Sequence, residues 1–298
     1  MDDSYLYRSL FKNSFFSVQT IYAEEKTSSG LNLTPPDADH IQIVTTVNGS
    51  TRIGRIVRKT ENKIEFKTDL MTVIIPISNV KQIEKIPVSS MRNGEYWFPN
   101  PNATRLYFAP TARMLRKGKG YFADYYLFFP SVVYGITDNI TIGGGVSLFP
   151  AAGVKDQLFY ILPKIGIQIT KRVNLAAGAL VAKLPFADIT AGILYGVGTY
   201  GTTETSITAG VGYGFVYYDD DSATTDKPML MLGGEKRLAK RTALVTENWL
   251  FPGADQPLGS YGIRFFGEKL SVDLAFLTPL GADYFFPGIP YIDFVSHF

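Results

Sequence analysis

From Ala103 to the C-terminal Phe298, one local pattern repeats: an apolar strand, a tight polar turn, then another strand of alternating character. The tight turns are Thr137-Asp138-Asn139, Thr170-Lys171-Arg172, Thr202-Thr203-Glu204, Ala239-Lys240-Arg241 and Gly267-Glu268-Lys269. Their spacing leaves room for two strands and one longer connection each time, so the chain reads as a run of hairpins. The longer connections lie near 150–157, 184–188, 218–227, 252–259 and 279–290. Strands are predicted at 104–115, 121–136, 140–149, 158–169, 173–183, 189–200, 205–217, 228–237, 242–250, 260–266, 269–278 and 291–298. That is twelve strands, with both ends of the set on the short-turn side.

The strand faces narrow the choice of fold. Ile207, Ala209, Val211, Tyr213 and Phe215 share one face, and Thr208, Gly210, Gly212 and Gly214 the other. The segment 139–148 sets Ile140, Ile142, Val146 and Leu148 against Thr141, Gly143, Gly145 and Ser147. In 189–200 the same rule sets Ile189, Ala191, Ile193, Tyr195 and Val197 against Thr190, Gly192, Gly196 and Gly198. In 269–277, Leu270, Val272, Leu274 and Phe276 oppose Ser271 and Asp273. Periodicity alone fits two folds: a soluble sandwich with its apolar face inward, or a barrel with its apolar face in lipid. Glycine separates them, because a core face built of glycine leaves voids. The apolar face is therefore assigned to lipid and the small or polar face to a lumen.

On that assignment Glu247, Arg264, Asp273 and Asp293 point inward on four successive strands, and Lys164 points inward opposite Ile161, Ile165 and Ile167. Inward charges in a spanning barrel either line a pore or form a structural ion-pair ladder. The alternating signs favour the ladder. Aromatic residues cluster toward the long connections, among them Tyr121, Tyr125, Phe149, Phe159, Tyr217, Trp249, Phe251, Tyr284, Phe285, Phe286 and Tyr291. A thinner set lies near the turns. Two such belts suit the two membrane interfaces.

Ahead of the repeat, residues 38–87 form a small five-stranded β unit. Ile41–Val47 alternates and ends at Asn48-Gly49, a tight-turn signal. Strands at 51–57, 63–68, 73–75 and one through Ile83 follow. Asn-Gly, Gly54-x-Ile56 and Ile75-Pro-x-Ser-x-Val80 resemble SH3-like or Sm-like small barrels. Residues 88–103 read as a Pro- and Asn-rich linker. Residues 1–37 read as an irregular leader and flexible tether. The run Phe15–Ala23, preceded by Arg8 and Lys12, fits a signal peptide; a plain tail ahead of a later start is the alternative.

The C-terminal two-thirds, from the Asn100-Pro-Asn-Ala-Thr-Arg-Leu-Tyr-Phe-Ala-Pro-Thr111 opening through the Gly135-Ile-Thr-Asp-Asn-Ile-Thr-Ile-Gly-Gly-Gly145 hairpin, resembles uncharacterised outer-membrane β-barrels of Bacteroidetes-type Gram-negative bacteria. Ile292, Phe294 and the terminal Phe298 resemble the signal read by the barrel-assembly machinery, from which Ser296 departs. The resemblance implies an up-and-down transmembrane barrel in the outer membrane with a periplasmic N-terminal domain. The bilayer and the assembly machinery are its implied partners, with a periplasmic protein or the cell wall meeting residues 39–86. It implies no activity. Passive transport of small solutes, or a structural role, is the expected function; anchoring an interaction domain and a soluble all-β protein are the alternatives.

The remaining chemistry is sparse. Cysteine is absent and histidine occurs only as His40 and His297, which removes thiol chemistry and leaves no histidine for the long-loop rim. The expectation is therefore no enzyme and no cofactor. Lys plus Arg is 29 against 27 acidic residues, so nothing in the charge balance suggests a nucleic-acid partner. Gly196-Val-Gly198-Thr-Tyr-Gly201 spells a dinucleotide fingerprint but leads to a strand, not a helix. Ser78-Asn-Val-Lys81 reads as a turn. Asp219-Asp220-Asp221 reads as a solvated loop rather than a calcium site.

Overall fold

The computed structural model describes residues 31–150, 152–185, 189–218, 221–281 and 287–298, and divides into two units between Tyr96 and Trp97. The leader run 15–23, Asp219, Asp220 and the aromatic triplet 284–286 lie outside the described residues. No helix among the described residues is long and apolar enough to cross a membrane.

The first unit holds β1 (His40–Thr46), β2 (Thr51–Lys59), β3 (Lys63–Lys67), β4 (Thr72–Pro76) and β5 (Val80–Pro87). They form an antiparallel sheet in the order β4-β3-β2-β1-β5. Gly49 turns β1 into β2 at φ 85°, a conformation glycine adopts without penalty. Alternation turns Val44, Ile56, Ile64, Phe66 and Ile75 to one side, where they form a core with Val80 and Leu33. Leu33 corrects the expected tether: the residues just ahead of the sheet pack on it. Arg55 donates to the carbonyls of Asp37 and Ala38, and Gln42 donates to that of Thr34. The expected linker is corrected as well. Its first part forms β6 (Met91–Arg92) and β7 (Glu95–Tyr96), a hairpin turned by Asn93 and Gly94 at positive φ.

The second unit is a closed barrel. Its strands are β8 (Gly120–Tyr125), β9 (Phe129–Gly135), β10 (Ile140–Val146), β11 (Phe159–Ile161), β12 (Lys164–Gln168), β13 (Val173–Lys183), β14 (Ile189–Gly201), β15 (Thr205–Tyr218), β16 (Asp221–Thr224), β17 (Met229–Ala239), β18 (Thr242–Leu250), β19 (Leu258–Phe266), β20 (Leu270–Pro279) and β21 (Ile289–His297). β11 and β12 are one strand interrupted at Leu162-Pro163, where proline offers no ladder donor; both pieces pair with β10 and β13. β16 folds back on β15. Neighbours in the chain pair antiparallel throughout, and β21 pairs β8 to close twelve strands.

The count of twelve survives two compensating errors of position. The stretch 121–136 is two strands, β8 and β9, joined by a tight turn in which Tyr126 and Leu127 adopt φ of 54° and 65°. The segment 104–115 is not a wall strand; it lies inside the barrel.

The outward faces of β10, β15 and β20 carry the apolar set assigned to lipid: Ile140, Ile142, Ile207, Val211, Tyr213, Leu270 and Leu274 are exposed. β14 is reversed. Leu194 and Tyr200 face outward while Val197 and Thr199 are buried inside. Register gives the reason. Tyr195 and Val197 lie opposite Gly212 and Gly210 of β15, so large and small residues alternate across the inner wall. Gly196 and Gly198 instead face out, beside the exposed Val211 and Ala209. Tyr121, Tyr125, Trp249 and Tyr291, expected in the interfacial belt, also turn inward: Tyr121 and Tyr291 are buried in the wall, and Tyr125, Trp249 and Tyr291 pack on the inner core.

Candidate functional site: a plugged lumen

Residues 97–116 enter the barrel at the short-turn end and turn back on themselves. The Arg237 guanidinium sits over the rings of Trp97, Phe98 and Phe266 at 4.9, 5.5 and 5.0 Å, and donates to the Phe98 carbonyl at 2.8 Å. The chain then forms a tight inner hairpin. Arg105 bridges to Pro110, the Leu106 N–H donates to the Ala109 carbonyl at 2.8 Å, and the Thr111 N–H donates to that of Thr104 at 3.0 Å. Tyr107 and Phe108 are its tip. Leu106, Tyr107, Ala109 and Ala112 pack with Val197, Met231, Val245, Ala275 and Tyr291 of the wall, so the hairpin supplies the hydrophobic core of the barrel.

Each inward charge singled out in the sequence meets this hairpin or the network around it. Glu247 Oε2 accepts the backbone N–H groups of Tyr107, Phe108 and Ala109 at 2.9, 3.0 and 3.0 Å, and Oε1 accepts Trp249 Nε1 at 2.7 Å. A hairpin tip leaves consecutive N–H groups without strand partners; here one carboxylate satisfies three of them. Arg264 makes a bidentate pair with Asp273, both contacts at 2.7 Å, and donates to the Leu106 carbonyl at 2.7 Å. Asp293 accepts Arg105 Nη1 and the Tyr291 hydroxyl, each at 2.7 Å. Lys164 Nζ donates to the carbonyls of Thr111 and Arg113 at 3.1 and 2.9 Å. Glu247, Arg264, Asp273 and Asp293 are fully buried. The network is an ion-pair ladder, but the expected alternation of signs breaks at Asp273 and Asp293, like-charged partners on β20 and β21, and Arg105 of the inner hairpin pairs with both.

Three members escaped sequence reasoning. Arg105 stood in a segment read as a strand, and only the folded chain brings it within 2.7 Å of Asp293 and 3.2 Å of Asp273. Glu235, 3.1 Å from Arg264, and Arg237 carried a readable signal: both lie in phase with Met229 and Met231 on the buried face of β17. The two histidines belong to different units. His40 pairs with Asp37 in the first unit, and His297 Nε2 meets Asn102 Oδ1 at 2.8 Å near the short-turn end. The dinucleotide spelling runs along β14 to its end. Ile292 is partly buried, Phe294 and Phe298 are exposed, and Phe298 exchanges backbone hydrogen bonds with Gly120 at 3.0 and 3.2 Å across the closing seam.

Beside the hairpin a cavity of about 310 Å³ remains. It is mostly apolar and runs along the glycine-bearing wall, past Gly210 and Gly212, toward Trp249 and Phe251, whose rings stack at 5.7 Å.

Fold and site together define a closed, internally plugged twelve-stranded β-barrel preceded by a five-stranded β unit. No family model matches the chain, and no curated protein matches it in sequence. Among solved structures it is similar to OmpT, an outer-membrane protein of Vibrio cholerae, at 14% identity and TM-score 0.32 over 87% of this chain and 93% of that one. A loop L8 deletion mutant of OmpT matches at 11% and 0.33, over 87% and 97%. The toluene transporter TbuX of Ralstonia pickettii matches at 10% and 0.31, over 87% of each chain. Likeness at this level carries no argument about activity in either direction. The expectation of no enzymatic activity is corrected: it rested on the scarcity of histidine, and that scarcity by itself does not exclude catalysis.

Proposed function

We propose that this chain is an outer-membrane barrel protein that carries its own plug and admits small solutes only when the inner hairpin yields. The observation behind this reading is the inversion of polarity across one wall. Ile140, Ile142, Ile207, Leu244, Ile263 and Leu274 are exposed outside, while the ionic network is buried inside. A continuous apolar exterior on this scale suits lipid and not water. Short turns and both barrel termini at one end suit the periplasmic side, and support the reading of the small β unit as periplasmic. The seam at Phe298 fits recognition by the barrel-assembly machinery.

Fractionation of a Gram-negative host tests the location. The expected result is outer-membrane recovery with faster gel mobility before boiling than after. Recovery as a soluble, detergent-free protein overturns it. Planar-bilayer recording tests the plug. The intact protein is expected to be silent, and steady porin-like conductance overturns the closed state.

A second reading makes the barrel an anchor for the small unit, which then binds a periplasmic protein or the cell wall. It is favoured by Leu70, Met71 and Ile74, exposed on and beside the edge strand β4. Replacing all three by Ser and Thr removes binding on that reading and leaves the barrel's mobility shift unchanged.

A further inference from the structure

We propose that the cavity beside the inner hairpin is a binding site for a small molecule with an apolar body and an acidic head, the head held by Lys164 and Thr141. The inference deepens the reading of a plugged transport barrel and rests on it for the route of entry; the binding itself belongs to the purified protein. Lys164 is buried, lines the cavity, and has only two backbone carbonyls as partners. No carboxylate among the described residues pairs with it, whereas Arg105 and Arg264 in the same lumen are each matched to aspartates. A buried cation without a counter-charge is costly, and a bound carboxylate offsets that cost.

Thr141 lies directly opposite Lys164 in the β10–β12 ladder, on the same inward face. Its hydroxyl is buried, lines the cavity, and has no hydrogen-bond partner. Two donors on paired neighbouring residues therefore belong to the wall of one cavity. Elsewhere the wall includes Val197, Met229, Met231, Trp249 and Leu277, which offer carbon and aromatic faces. At about 310 Å³ the space is roughly twice that of an apolar cavity that takes up a benzene ring. The complementary ligand class is a medium-chain or aryl-substituted carboxylic acid.

The test uses the full chain in detergent with Trp97→Phe, so that Trp249 alone reports. Decanoate and 4-phenylbutyrate are titrated against decanol and 4-phenylbutanol. The acids are expected to bind at least tenfold more tightly than the alcohols and to change the Trp249 emission. Lys164→Met is expected to bring acids and alcohols to equal affinity while retaining the heat-dependent mobility shift. If Lys164→Met fails to fold, Thr141→Val serves in its place, with an expected severalfold loss for the acids only. Equal affinity for acid and alcohol in the parent protein, absence of binding, or acid preference that survives both variants overturns the proposal. Outer-membrane recovery without acid binding removes this inference and leaves the location intact. Acid binding by a soluble, detergent-free protein does the reverse.

Discussion

Arg105 and Asp293 stand 188 positions apart in the chain and meet at 2.7 Å in the barrel interior. One comes from the inserted hairpin and the other from the last wall strand. The pair ties the plug to β21, the strand that closes the barrel on β8. Both side chains are buried; Arg105 also meets Asp273 and the carbonyls of Leu106 and Tyr107, and Asp293 also accepts the Tyr291 hydroxyl.

Removing one partner leaves the other charged and buried. Arg105→Ala is expected to cost about 3–5 kcal/mol, the range for breaking a buried pair. The plug should loosen before the wall does. Urea unfolding and bilayer recording check this: the variant should show flickering conductance that the parent lacks. Arg105→Met with Asp293→Leu, which removes both charges, should recover most of the stability.

Glu247 holds the hairpin tip through three backbone donors. Glu247→Ala strands these N–H groups, at about 1–3 kcal/mol for each buried donor left unmet. Amide hydrogen exchange at Tyr107, Phe108 and Ala109 should accelerate by orders of magnitude, while the β18 and β19 amides keep their protection. Unchanged exchange at the tip would show that the hairpin is held by its apolar packing alone.

The seam at Gly120 has no room for a side chain. A Cβ there would lie 2.6 Å from the Phe298 ring and 2.7 Å from the Val133 carbonyl. Gly120→Val is expected to impair closure and to reduce the fast-migrating unboiled band. Phe298→Ala removes the ring without crowding the seam. If Phe298 serves as an assembly signal, that variant should insert poorly in cells yet refold normally in detergent.

In the first unit, Lys85 and then His40 hydrogen-bond to the Asp37 carboxylate and lower its pKa to about 2. A lowered folded-state value means the contribution is present above the ordinary carboxylate pKa near 3.8 and is lost as pH falls through about 2. Carboxyl-carbon NMR of the full chain should show Asp37 titrating late. Lys85→Met should move its midpoint toward the ordinary value. Because the group is exposed, the effect on stability should be small.

Much of this architecture was written in the residues. A period of two and tight turns at regular intervals point to a barrel, because each is a local consequence of backbone geometry. The inward charges were legible for the same reason: once Leu270 and Leu274 face out, Asp273 must face in. The reversal of β14 was not legible. Ile193, Tyr195 and Val197 are as apolar as any lipid-facing set, and only pairing against Gly210 and Gly212 turns them inward.

The inner hairpin marks the limit most clearly. Residues 104–115 alternate like a wall strand, and by local rules they are one. By itself the sequence determined the strands from β10 onward and, outside β14, their polarity, since these follow from neighbours along the chain. Only the tertiary structure decided what fills the barrel. The partners that capture the hairpin, Glu247, Arg264 and Asp293, lie more than a hundred residues away, and their pull comes from burying charges and unpaired N–H groups that no local pattern records.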